Sequence, residues 1–430
     1  MAELNTPRRL SDRIAFASVF KRFGPGLITG AADDDPSGIA TYSQAGAQLG
    51  VNVLWTVVLT YPLMTAIQSI SARIGRVTGH GLAANMKRLF PTPLVGFLVS
   101  LVFIANTINI GADLAAMGAS ANMVTHWNQH LLTIAFAVIS LGLQIFIPYH
   151  RYVSVLKWLT LALFAYVGIV FVVHIDWTET LARTALPHMA LNAESLTTVV
   201  AVFGTTISPY LFFWQASEEV EDEEADPDKS PLVDKPEQAK EELARIRWDT
   251  YLGMGFSNLI AYFIILTAAT TLAGQDIQTT EQAARALKPI AGDLAFLLFA
   301  LGVIGTGLLA TPVLAGSAAY AISETSGWTS GLEKKWREAP AFYAIITLAT
   351  LFGIGIDYAP INPIQALFWS AVLNGVVAVP IMIATMLVVT RKSAMGDFTA
   401  TPSQRIFGWL ATALMAAAAV TMIVLQFVHS

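Results

Sequence analysis

The sequence contains no cysteine, which excludes disulfides, thiolate metal sites and cysteine nucleophiles together. It is also short of charge. Only 13% of its 430 residues are Asp, Glu, Lys or Arg, roughly half of what a soluble domain carries. With 55% hydrophobic residues and a mean hydropathy of +0.58, the chain reads as an integral membrane protein. The apolar runs hold no titratable base: His80, His126, His130, His150, His174, His188 and His429 fall in loops or at run ends, as do the lysines and arginines. The polar amino-terminal residues lack the short apolar run and small-residue cleavage site of a signal peptide, so the first span is expected to act as its own insertion signal. A net charge of -5 and a pI near 5.8 leave no basic nucleic-acid surface. No nucleophile motif, phosphate loop or dry acid/base pair is visible, so neither an enzyme nor a bound cofactor is expected.

What is present is length. Apolar runs able to cross the hydrocarbon fall at about 23–49, 51–72, 93–122, 131–148, 153–174, 195–216, 248–273, 293–322, 340–357, 363–390 and 405–428. Eleven spans with the amino terminus inside would put 22 of the 25 lysines and arginines on the cytoplasmic side, leaving only Arg183, Arg285 and Lys288 outside. Shifting the count by one span destroys that asymmetry, so the topology follows from the positive-inside rule, with the carboxyl terminus extracytoplasmic. Residues 1–22 form a cytoplasmic segment, of which 7–22 read as either a short amphipathic surface helix or a polar tail; 23–428 form one transmembrane domain. The polar break at 217–247 opens with Glu218, Glu219, Glu221, Asp222, Glu223 and Glu224. It reads as an acidic, solvated cytoplasmic loop, with concentration of cations at an inner exit as the alternative.

Two runs are interrupted. Asp33-Asp34-Asp35-Pro36-Ser37-Gly38 places three carboxylates, a proline and a glycine inside the first. Proline removes a backbone donor, and opened backbone in lipid is tolerated only where it faces protein or water. Intramembrane carboxylates mark a site by default, and the simplest missing partner is a cation. Gly204-Thr205-Thr206-Ile207-Ser208-Pro209-Tyr210 interrupts the sixth run in the same way. Interruptions five spans apart predict an all-α fold of two inverted five-helix repeats, about 23–174 and 195–390, with helices 1 and 6 broken at a shared midplane site and 405–428 as an extra helix. In the third run Asn106, Asn109 and Asp113 share one helical face. They read either as interhelical hydrogen-bonding groups or as a wall of the cavity.

The segment Asp35-Pro36-Ser37-Gly38, followed by Gln44-Ala45-Gly46-Ala47, resembles the helix-1 signature of the NRAMP divalent-metal transporters, Asp-Pro-Gly-Asn and then Gln-Ala-Gly-Ala. Residues 204–210 are similar in register to that family's helix-6 motif, which ends Met-Pro-His. The likeness extends over the eleven-span layout and implies a leucine-transporter-like fold. The departures matter as much. Gly38 stands where the family has a metal-binding asparagine, Ser208 where it has the methionine whose sulfur favours transition metals, and Tyr210 where it has a histidine. Thr107 and Ile110 fall where proton-coupled members carry acids. These changes resemble the NRAMP-related magnesium transporters.

The resemblance implies a divalent-cation substrate, most simply hydrated Mg2+ with Mn2+ also accepted, since removing sulfur and amide leaves oxygen donors and space. It assigns Asp35 as the charged ligand, Ser208 and the backbone carbonyl of Thr205 as ligands from helix 6, and Gly38 as room for hydration. Asp33, Asp34, Asn106, Asn109, Asp113 and Tyr210 would line the cavity or pathway, with Asp33 or Asp34 alternatively capping the broken helix. The expected activity is alternating-access transport in the plasma (inner) membrane without obligatory proton coupling. The alternatives are a proton-coupled Mn2+/Fe2+ importer and a metal-binding receptor without transport. Beyond the metal ion and membrane lipid no partner is expected, and a monomer suffices.

Overall fold

The computed structural model describes residues 25–156, 158–190, 192–359 and 361–429. The amino-terminal segment 1–22 and its amphipathic reading therefore lie outside the described residues. Every regular element among the described residues is helical. The first predicted span is two helices, α1 (Pro25–Asp33) and α2 (Pro36–Leu49). The chain turns through 107° before α3 (Trp55–Thr78). There follow α4 (Leu82–Leu89), α5 (Thr92–Thr125), α6 (Gln129–Phe146) and α7 (Tyr149–Leu156), with short turns completing the fifth span to Phe171. Then come α8 (Trp177–Ala185), α9 (Ala193–Thr206) and α10 (Pro209–Glu224), the broken sixth span. The chain ends with α11 (Ala239–Thr271), the short α12 (Thr280–Ala284), α13 (Ala295–Ser326), α14 (Pro340–Ile356), α15 (Pro363–Thr390) and α16 (Pro402–His429).

Seven helical stretches are individually long and apolar enough to cross a membrane. The remaining four predicted spans are helical but divided, bent or short: α1 with α2, α3, the 149–171 series, and α14 with 17 residues.

Both interruptions are built alike. Asp35 is the N-cap of α2 and Pro36 its first residue; Ser208 is the N-cap of α10 and Pro209 its first residue. Proline is favoured at that position because its missing N–H would be unsatisfied there anyway. The two interruptions meet with opposed polarity. The Tyr210 hydroxyl, at the start of α10, donates to the Ala32 carbonyl near the end of α1 (3.3 Å), and Tyr42 of α2 bonds Thr206 at the end of α9 (2.9 Å).

Small residues bring the broken helices close to their supports. A Cβ on Gly30 would collide with the backbone of Gly253 in α11, and one on Gly204 with the Ala371 carbonyl and Gly375 in α15. Close backbone approach of this kind is how membrane helices gain van der Waals contact without a hydrophobic driving force.

The acidic stretch departs from expectation. Instead of a solvated loop from Ser217, α10 continues to Glu224 and α11 begins at Ala239. Its acids are bonded: Glu223 pairs with buried Arg76 (2.9 Å) and Glu219 with Arg245 (2.5 Å), while Glu242 bridges Arg76 and Arg245 (3.2 Å each). Glu221 accepts from the Tyr320 hydroxyl and the Leu332 N–H. Charge runs of this kind are normally solvated; here complementary arginines come from α3, far back in the chain, and from the start of α11, at the other end of the same polar stretch.

Candidate metal site

Asp33, Asp34, Asp35 and Asp113 are all at least 98% buried, and among the described residues no lysine or arginine pairs with any of them. Asp35 is the most closely held. Its Oδ1 accepts the Gly38 N–H (2.6 Å), which caps α2, and its Oδ2 accepts from Asn109 Nδ2 (2.9 Å). Asn109 is itself oriented by the Ser370 hydroxyl, which donates to its Oδ1 (2.6 Å). The carboxylate is thus fixed from α2 and α5 with lone pairs left over.

Those lone pairs face a defined space. A Cβ on Gly38 would lie 3.4 Å from the Asp33 carbonyl oxygen, from Asp35 Oδ1 and from Thr205 Oγ1. Three oxygens of different chemistry, from α1, the first break and α9, therefore converge above Gly38, which supplies no side chain of its own. The one Ser208 hydroxyl proton is shared between the Thr205 (2.8 Å) and Gly204 (2.9 Å) carbonyls. The Thr205 carbonyl keeps a second lone pair, so Thr205 offers its hydroxyl and its carbonyl, and the Ser208 oxygen remains an acceptor.

Neither Asp33 nor Asp34 caps a half-helix; Asp35 has that position. The Ser257 hydroxyl of α11 stands between the other two, 2.7 Å from Asp33 Oδ2 and 3.1 Å from Asp34 Oδ1. Asp113 is close enough to interact electrostatically with Asp35 and to feel the Ser37 backbone N–H, and among the described residues no side chain hydrogen-bonds to it. It is the acid of α5 that faces the break. By contrast, Thr107 bonds the Phe103 carbonyl in its own helix (2.7 Å) and Ile110 is buried in the apolar core. Asn106 is turned away, donating to the Leu314 carbonyl (2.9 Å) and Ser317 (2.8 Å) of α13, so its role is interhelical. Tyr210 ties the two breaks together through Ala32.

Ser257 and Ser370 escaped the sequence reading. Each is the single serine of its helix, a pattern that most often means packing, and only the fold brings them to the carboxylates.

Hydrogen bonds cross-link the helices on both sides of the space. Towards the Arg76 end, Thr29 donates to Gln215 (2.5 Å) and Gly26 N–H to Asp249 (2.7 Å), holding α1 against α10 and α11. Towards the other end, Gln44 donates to Asp276 (2.8 Å) and accepts from Ile277 N–H (3.1 Å), and Ile39, Thr280 and Phe299 line a small cavity together. The donations from Gln278 and Gln44 hold the Asp276 carboxyl below its ordinary range.

Among the described residues no three His, Asp or Glu side chains are arranged to cage a metal. One carboxylate plus neutral oxygens is a weak, releasable cradle, which suits cargo rather than a resident ion.

Paired broken helices around buried carboxylates in an all-helical bundle define a membrane-protein fold of the leucine-transporter type. MhsT, solved in complex with L-phenylalanine, superposes with a TM-score of 0.55 at 11% identity over 94% of this chain and 98% of that one. Residues 26–425 match the family described as natural resistance-associated macrophage protein-like. The chain belongs to the NRAMP family and is a multi-pass divalent-metal transporter. The divalent metal cation transporter MntH of Acidiphilium cryptum (strain JF-5) is 24% identical over 411 residues, covering 91% of this chain and 88% of its own length. The manganese transporter of Eremococcus coleocola, solved with an aromatic bis-isothiourea compound, superposes with a TM-score of 0.75 at 14% identity, over 99% of this chain and 88% of that one.

Proposed function

We propose that this transporter carries hard divalent cations, manganese and magnesium, into the cell by alternating access, with Asp35 as the single charged ligand. The observation that supports it is the convergence of Asp35 Oδ1, Thr205 Oγ1 and the Asp33 carbonyl above Gly38, with Ser208 beside them and no sulfur or imidazole in the set. Oxygen donors with room for retained water suit Mg2+ and Mn2+, whereas softer ions gain nothing without a thioether. The amino terminus lies on the cytoplasmic side in this reading, from the distribution of lysine and arginine. Two positive charges couple the ion to the membrane potential by about 4.6 kcal/mol at 100 mV, inside negative, enough to drive inward flux without a second gradient.

A second reading, proton-coupled import of manganese or iron, draws on the relatives named for manganese and on Asp113. A carboxyl group beside Asp35 with no side-chain hydrogen-bond partner among the described residues is able to exchange a proton as the ion arrives and leaves, and it needs no histidine.

The deciding experiment is uptake into proteoliposomes under a potassium-valinomycin potential, with a metal dye and a pH dye read together. Uptake of Mg2+ competed by Mn2+, abolished in Asp35→Ala and silent in the pH channel is the expected result. Acidification in step with the metal establishes the proton-coupled reading. Metal binding with no flux overturns transport altogether.

A further inference from the structure

A basic cavity lies apart from the transport site, between the Arg76-side ends of three helices. Its volume is about 490 Å3. Lys240, Leu243, Ala244, Arg247 and Tyr251 line one wall at spacings of three and four, so they form a single stripe of α11. Arg73 of α3 forms the floor; it is 91% buried, its Nη1 reaches the Phe398 and Thr399 carbonyls (3.3 and 3.4 Å), and its Nε has no partner. The first turn of α16 closes the third side through Thr401, Ser403 and Gln404, adding the positive end of a 28-residue helix. No acidic residue lines the cavity, and Arg73, Lys240 and Arg247 have no ion-pair partner among the described residues. Glu242, the nearby acid of α11, points the other way, to Arg76 and Arg245.

The cavity continues into a second one of about 160 Å3 that shares Tyr251, Ser403 and Gln404 with it. This extension runs along α3 past Ala66 and Pro62 to Tyr61 and is walled by Phe407, which is 40% exposed. From Arg73 back to Tyr61 is roughly 18 Å of helix, directed from the helix ends into the apolar span.

We propose that this double cavity binds one anionic phospholipid, its phosphate among Arg73, Lys240 and Arg247 and an acyl chain along Tyr61–Ala66 and Phe407. The charge complementarity sets the headgroup, and the apolar extension leading into the bilayer sets lipid rather than a free anion. Basic pockets between membrane helices at the cytoplasmic level are where acidic headgroups are recognised. Because α3, α11 and α16 all meet there, an occupied site fixes the extra helix α16 against the bundle.

The test is native mass spectrometry of the detergent-solubilised full chain titrated with phosphatidylglycerol, phosphatidylcholine or inorganic phosphate. Phosphatidylglycerol is expected to bind in preference to phosphatidylcholine, and the double variant Lys240→Gln/Arg247→Gln to bind it roughly 30-fold more weakly, on the order of fivefold per basic residue. Both residues are exposed, so the double variant retains the fold even if Arg73→Gln does not. Equal binding of the two lipids, or unchanged binding by the double variant, overturns the proposal. Displacement of the lipid by inorganic phosphate alone identifies a free-anion site instead and also overturns it.

Discussion

At the scale of single residues, the site depends on how Asp35 is held. A hydrogen bond to a charged group contributes roughly 1.5–3 kcal/mol. Asn109→Ala is therefore expected to raise the KM for Mn2+ by roughly tenfold to a hundredfold, with a smaller effect on the maximal rate, in the proteoliposome assay. Ser208→Met adds a thioether beside the oxygens and is expected to make Cd2+ a stronger competitor of Mn2+ uptake; unchanged competition would place Ser208 away from the ion. Asp35 and Gly38 were legible because carboxylates and glycine stand out in an apolar run. The hydroxyl of Thr205, beside its carbonyl, was not legible, since only the packing of α9 against the first break turns it towards Gly38. Asn106 and Asn109 looked equivalent at one turn's spacing, and only the positions of α13 and α15 separate their roles.

At the scale of elements, the Asp-Pro and Ser-Pro pairs stop and restart helices 1 and 6 by one local rule, which is why both breaks could be read from the chain. The end of α10 obeys no local rule. A run of acids is solvated unless something neutralises it, and the neutralising residues, Arg76 and Arg245, arrive from α3 and α11. Arg76 is 1% exposed, so its loss leaves Glu223 without its counter-charge, while Glu242 keeps Arg245 and Lys229. Breaking a buried pair costs about 3–5 kcal/mol. Arg76→Ala is expected to lower the thermal unfolding midpoint in detergent by many degrees, whereas Arg183→Ala, which removes an exposed pair with Glu179, is expected to leave it nearly unchanged.

At the scale of the whole molecule, the inverted pairing of the breaks sets what the membrane potential does. If the ion moves as a bare divalent charge, reversing the valinomycin potential is expected to reverse the direction of net flux at equal metal concentrations; flux that follows the pH gradient instead favours proton coupling. The multi-span helical layout was legible from hydropathy, while the short α14 and the divided first and fifth spans reflect helices supported by neighbours rather than by their own length. The cross-links on either side of the site, Thr29 with Gln215 and Gln44 with Asp276, have a kinetic consequence. If the ion passes by alternating access, each clasp has to let go in turn, so Thr29→Val is expected to change the rate of Mn2+ uptake and to leave its competition by Mg2+ unchanged.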